Sequence, residues 1–214
     1  MLYSKAHNFI FVKTRKTAGS SIEVLLSQHM HDPADIITPL IDEDETTLRR
    51  PLGIEPRNHQ DEHGLKKFWN HMPGRRIKKL LGREVWRTTL SISVERHPYE
   101  KAVSMAHFRQ LPPGMSFEQH LDNVVRRAQY ANWGIYTNRH GKPMVDVLIR
   151  FENLKAELDA LLARLKLPPA AELPRAKTNF RTDRRPAAEV LSDEHKRIIQ
   201  VACAPEFEYF GYEK

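Results

Sequence analysis

Two short stretches place cations where an apolar strand pattern gives way to a helical one. Residues 11–23 read FVKTRKTAGSSIE. The apolar run ends at Val12, Arg15 and Lys16 follow, and a glycine and two serines open the helical pattern. A helix N-terminus presents amide N–H groups that lack intrahelical partners, together with a partial positive charge. Gly19 lets backbone approach a ligand closely. Lys16 adds a mobile point charge, and Thr17, Ser20 and Ser21 add hydroxyl donors. With Arg15 and Ala18 between them, these residues form a phosphate-sized cradle. A capped helix after a basic loop has the same spacing, so spacing alone does not separate the two. A Walker A loop is excluded, because it needs glycines six positions before the lysine and immediately before it. Here Lys16 precedes Gly19, and positions 10 and 15 are isoleucine and arginine.

The second stretch, residues 93–104, reads SVERHPYEKAVS. Arg96 follows a strand, Pro98 suits a first helical turn, and Ser104 lies about two turns into that helix. Arginine is suited to bidentate phosphate contact, and Ser104 supplies a further hydroxyl. A strand–helix junction with a salt-bridged arginine is the ordinary alternative.

Elements must hold these residues. Asn8–Lys13 reads as a buried strand, followed by a helix with Ile22, Leu25 and Leu26 on one face. Ser20 or Ser21 suits its N-cap and Glu23 its first turn. From about 32 to 76 the pattern degrades into an irregular excursion rich in histidine. A short helix is expected over Arg75–Leu81, ending at Gly82. Thr88–Val94 alternates as a strand, and the next helix runs from Pro98 to about Phe108. Ser116 opens another helix, and 136–143 reads as a turn. Val145, Val147 and Ile149 alternate in a third strand, and Leu154–Leu165 carries a helical leucine stripe. A last helix starts near Ser192. Strands coupled to helices in this way imply a parallel sheet with helical crossovers. Ligands of such sheets sit beyond the carboxyl ends of the strands.

The 214 residues suit one domain over 1–214 that includes the excursion. The formal net charge is +7 and the isoelectric point about 9.5, which favours anionic partners. Cys203 is the one cysteine, so an internal disulfide and a CxxC zinc site are ruled out. Residues 1–13 lack the features of a signal peptide, and no run approaches the ~18 apolar residues of a membrane span. A soluble, reducing, cytoplasmic setting is expected.

Taken together the two stretches are more specific than either alone. KTRKTAGSSIE resembles the 5′-phosphosulfate loop of carbohydrate sulfotransferases, P-K-T-[AG]-[GT]-[ST]-S. VERHPYEKAVS resembles their 3′-phosphate motif, R-[NDH]-P-x-x-[RK]-x-x-S. DIITPL, NHMPGRRIKKLLG, VLIRFENL and FEYFGYEK are similar to further segments of carbohydrate-type and bacterial members. Arg15 stands where the family commonly has proline. The resemblance implies an α/β fold: a P-loop NTPase-like three-layer sandwich with a central parallel sheet flanked by helices. It implies 3′-phosphoadenosine 5′-phosphosulfate (PAPS) as donor, the bisphosphate PAP as product, a hydroxyl acceptor, a carbohydrate being favoured, and no required metal. Lys16 would then stabilise charge on the leaving phosphate oxygen.

A general base must take the acceptor proton. His59, His63 and His71 lie between the motifs, and His71 in WNHMPG best matches the family's base; Glu62 is a further candidate. Capping or filling a polar crevice is the alternative for His71. Lys177 and Arg181 resemble a late segment that folds over the nucleotide in related enzymes, though a solvated basic loop reads the same way. A P-loop-related nucleotide-binding protein or kinase remains as the rival reading, but the Walker A order is absent. A nucleic-acid module is disfavoured because the aromatics are not interleaved with a basic face.

Overall fold

The computed structural model describes residues 1–170, 172–174, 183 and 185–214. The chain divides into two compact units. The first comprises Met1–Thr14, Ala18–Glu95 and Gly134–Ala176, and the second Arg15–Thr17, Arg96–Trp133 and Lys177–Lys214.

The first unit is built on a five-stranded sheet of β1 (Leu2–Ser4), β2 (Phe9–Val12), β3 (Ile36–Ile37), β4 (Leu90–Glu95) and β5 (Val147–Arg150), in the order β3-β1-β2-β4-β5. The expected parallel strands are present as β2, β4 and β5. β1 runs antiparallel to both β2 and β3, so the sheet as a whole is mixed rather than parallel. The turn from β1 into β2 is short enough for a hairpin, and Asn8 takes the left-handed conformation in it, φ 51°. Val12 pairs with Ser93, and Glu95 with Arg150. β2 and β4 therefore release both sequence motifs at the same edge of the sheet.

Side chains alternate across the strands. Phe9, Phe11, Ile92, Val94 and Ile149 pack on one face against α1 (Gly19–Ser27) and, at the far end of the unit, the leucine-striped helix Leu154–Arg164. Ile10 and Val12 face the other way, onto Phe68, Met72, Ile77 of α2 (Gly74–Leu81) and Trp86 of α3 (Arg83–Thr88). Helices thus cover both faces and make three layers. The polar face of β4 is buried as well, and its groups are satisfied. Ser93 donates to the Val12 carbonyl at 2.8 Å, and Glu95 accepts from the Tyr136 hydroxyl at 2.9 Å. Residues 32–76 are less irregular than their composition implies. Ile36–Ile37 adds the edge strand, Ile37 bridges to Arg57, and Arg49 is fully buried, donating to the Thr38 carbonyl at 2.9 Å.

The second unit is helical. In it α4 (Pro98–Phe108) and α5 (Phe117–Arg127) pack with Ile199, Cys203, Phe207 and Tyr212. Ser116 caps α5 in a reciprocal capping box with Gln119. Two helices close the chain, Asp193–Ala202 and Ala204–Phe210; the second ends at Gly211, whose φ of 62° suits glycine at a left-handed cap.

One buried charge cluster sits where β2 passes into α1. Glu23 is fully buried and accepts from Lys13 Nζ at 2.6 Å and from the Met1 ammonium at 2.5 Å. Burial pushes the Glu23 carboxyl up, but Lys13, the Met1 ammonium and Arg49 outweigh it and hold it down at about 2. Its pKa is below the unfolded value of 4.5, so its contribution to stability is complete above that value and is lost as pH falls towards 2. Glu23→Gln should cost about 3–5 kcal/mol at neutral pH by leaving Lys13 uncompensated. Urea unfolding of both proteins should show the difference shrinking below pH 4.5. A difference that stays constant from pH 7 to 3 would show that the Glu23 charge does not stabilise the fold.

Candidate functional site

The first unit carries the helix start at Gly19, Ser20 and Ser21. The helix N-cap is Ala18, in the left-handed conformation at φ 58°, and not Ser20 or Ser21. The chain must reverse direction sharply between β2 and α1, and a left-handed residue makes that bend. Both serines consequently fall inside the first turn, and the first intrahelical bond runs from Ile22 N–H to the Ala18 carbonyl. Glu23 lies beyond the first turn and serves the buried cluster rather than the helix dipole.

Lys13 shapes this helix start. A Cβ at position 19 would lie 2.8 Å from Lys13 Cγ and 3.3 Å from the Thr14 carbonyl, so only glycine fits. The Thr14 hydroxyl donates to the Val94 carbonyl, tying the end of β2 to that of β4. Lys13 Nζ also approaches Asn70 Oδ1 at 3.4 Å, and Asn70 donates to the Pro39 carbonyl at 2.6 Å. Asn70 immediately precedes His71, so the segment bearing His71 is pinned to the base of the loop. His71 is half-buried, at φ 60°, two residues before Pro73 caps α2.

His59 and His63 sit differently. His63 is exposed, 3.6 Å from the exposed Glu62 carboxylate. Burial lowers the pKa of His59, with a further push from Lys66 and an opposing pull from Glu45.

The second unit carries Arg15, Lys16, Thr17, Arg96 and Ser104. Lys16 adopts φ 60°, and its ammonium rests 4.0 Å from the centroid of the Phe108 ring. Thr17 is fully buried. Arg96 Nη1 lies 3.5 Å from the Lys16 carbonyl, and Nη2 donates to Glu100 at 3.0 Å. Glu100 also accepts from Ala187 N–H at 2.9 Å. Ser104 is half-buried on α4. The structure thus brings Arg96 against the backbone of Lys16. Lys177 and Arg181 lie outside the described residues.

Arg15 shows why this chain can depart from proline. Its backbone N–H donates to Asn132 Oδ1 at 2.9 Å, and Asn132 Nδ2 returns a bond to the Arg15 carbonyl at 3.0 Å. Proline has no N–H for the first of these. Asn132 is fully buried, and its own N–H and that of Trp133 donate to Glu206 at 3.2 Å. Glu206 lies 3.7 Å from the buried Lys101 ammonium. The half-buried Arg15 guanidinium has its pKa lowered by burial.

Sequence reasoning missed Lys13, Asn70, Asn132, Glu206 and Phe108. Lys101 did carry a signal, since it fills the basic position inside the second motif. The other five reach the loop through tertiary contacts and have no spacing that marks them.

No protein-family model matches the chain, and a search of curated proteins finds no match. Among solved structures, the chain is similar to the mouse sulfotransferase SULT7A1 complexed with PAP. Sequence identity is 16%, the TM-score is 0.46, and the alignment covers 94% of this chain and 84% of that chain.

Gly19→Ala should destabilise the fold by about 1–3 kcal/mol, because the added methyl collides with Lys13. Asn132→Ala should also destabilise it, through loss of both bonds to Arg15. Urea unfolding checks both. Wild-type stability in the two variants would show that these contacts do not hold the loop.

Proposed function

We propose that the chain is a sulfotransferase that moves a sulfuryl group from PAPS to an acceptor hydroxyl, on a carbohydrate. The observation that carries this reading is the register of β2 and β4. Val12 pairs with Ser93, so two motifs suited to phosphate leave adjacent parallel strands at one edge. A donor with anionic groups at two ends calls for two such sites.

The residues suit that donor. The helix start at Gly19, Ser20 and Ser21, bent in by Ala18, offers amides and hydroxyls to the 5′-phosphosulfate. Arg15 and Thr17 complete the loop around it. Arg96 and Ser104 suit the 3′-phosphate, the guanidinium by its charge and planar fork and the serine by its hydroxyl. Lys177 and Arg181 are proposed as further donor contacts.

PAPS would supply the activated sulfuryl group. In the transfer, the acceptor oxygen–sulfur bond forms while the bond from sulfur to the 5′-phosphate oxygen breaks, and PAP leaves with that electron pair. Lys16 stabilises the charge growing on the leaving oxygen. For this its ammonium must leave the Phe108 ring, a half-buried cation–π contact costing about 0.5–2 kcal/mol to break. His71 takes the acceptor proton, and its pinned backbone limits the entropy lost in aligning it.

Arg96→Ala should weaken PAP binding by about 1.5–3 kcal/mol and scarcely change AMP binding. Equal losses for both ligands would remove Arg96 from the 3′ site. Lys16→Ala should lower kcat more than donor affinity, since the charge it meets grows in the transition state. His71→Ala should lose roughly 10²–10⁴-fold in kcat with PAP binding retained. If His63→Ala abolishes turnover and His71→Ala does not, the base lies earlier in the chain. PAP binding no tighter than that of ATP, with turnover that EDTA abolishes, would favour a kinase instead.

A further inference from the structure

One stretch of this protein is strongly positive. Of its 34 Lys and Arg residues, seven lie within 66–83, a stretch without Asp or Glu. With seven cations and no acid, this stretch carries a net +7, while the other 27 cations equal the 27 acidic residues in number. All of it belongs to the sheet-bearing unit.

α2 concentrates the charge. Arg75, Arg76, Lys78 and Lys79 share an arc of about 160° at 100° per residue. Arg75, Arg76 and Lys79 are exposed, while Ile77, on the opposite side, is fully buried. Lys66, Lys67 and Arg83 are exposed on either side of this helix in the chain. Some surface cations elsewhere sit in ion pairs, such as Arg87 with Glu84 and Arg126 with Asp122. Among the described residues, no ion pair engages any of the seven. Unneutralised like charges repel one another, and a bound polyanion removes that cost.

The surroundings narrow the kind of polyanion. Lying in a bilayer interface requires an apolar helix face to insert. That face of α2 is already committed to the core through Ile77 and Leu81, leaving Leu80 as its exposed apolar residue, at 38%. Single-stranded nucleic acid uses exposed aromatic platforms. Here Phe68 is buried, and the Arg76 guanidinium covers the Trp69 ring at 4.8 Å. What remains is a charged, hydrophilic surface, and His71 lies inside the same stretch of chain.

We propose that residues 66–83 form a docking surface for an anionic saccharide, and that the acceptor bears carboxylate or sulfate groups beside the hydroxyl that is modified. The identification of this saccharide as the acceptor rests on the sulfotransferase reading; its binding to the surface does not.

The test titrates the protein, without donor, with a heparin decasaccharide, uncharged dextran, single- and double-stranded oligonucleotides of matched charge, and phosphatidylserine vesicles. The decasaccharide should bind, more weakly as salt rises, and dextran should not. Arg75→Ser/Arg76→Ser/Lys79→Ser should weaken that binding by about 10-fold or more, while PAP affinity and circular dichroism stay at wild-type values. If this variant does not fold, Lys66→Ser/Lys67→Ser/Arg83→Ser replaces it. No binding of the decasaccharide, or binding unchanged in the folded variant, overturns the surface. Tighter binding of an oligonucleotide or of the vesicles through the same residues overturns the saccharide. If wild-type protein binds the decasaccharide through these residues but not PAP, the surface stands and the donor reading fails. With an acidic oligosaccharide acceptor, the variant should raise acceptor KM and leave donor KM and kcat unchanged; an unchanged acceptor KM overturns the acceptor role alone.

Discussion

The buried pair of Lys13 and Glu23 sets the geometry at the start of α1. Removing two charges from water is costly unless they meet at close range with their remaining groups satisfied. Here the 2.6 Å contact joins the residue after β2 to the middle of α1, and the Met1 ammonium takes the second carboxylate oxygen. α1 has nine residues and no side-chain cap, so its own propensity is too weak to hold it. Its position comes from Ile22, Leu25 and Leu26 on the sheet and from this ion pair. The Lys13 stem then lies across the space beside position 19, which makes glycine obligatory there.

Backbone conformation does much of the remaining work at the loop. Lys16 and Ala18 both take positive φ, which costs an L-residue roughly 1–2 kcal/mol. Such strain persists only where the surroundings over-determine it. On the Ala18 side, the sheet, Thr14 and Lys13 supply that constraint. On the Lys16 side, it comes from the Asn132 clamp on Arg15 and from Arg96 at the Lys16 carbonyl. Asn132 is in turn held by Glu206, which faces Lys101 from the second motif. Lys101 thus acts as a buried counter-charge in this network.

Much of the frame was legible because its signals are local. β2 announces itself by an apolar run and β4 and β5 by apolar alternation, Pro98 marks the start of α4, and Ser116 marks α5 by its capping chemistry. The three-residue β1 and the two-residue β3 were not legible. Strands that short show no period, and they exist because β2 offers an unpaired edge for Leu2–Ser4 to cover. The same limit hid the N-cap: Ser20 and Ser21 have good capping chemistry, yet the bend falls at Ala18, where the chain must turn.

The sequence by itself determined the three parallel strands and the helices that follow them, the two cation-bearing junctions, the departure from a Walker A loop and the concentration of charge in 66–83. Each is a property of neighbouring residues, whose types and periods fix local conformation and charge. Tertiary structure alone decided that β2 and β4 are adjacent and in register, that Lys13 is a buried ion-pair partner, and that Asn132 grips Arg15 across 117 positions. It also decided that Lys16 rests on Phe108. These pairings join residues far apart in the chain. They follow from which surfaces the packed core leaves close together, and spacing along the sequence carries no record of that.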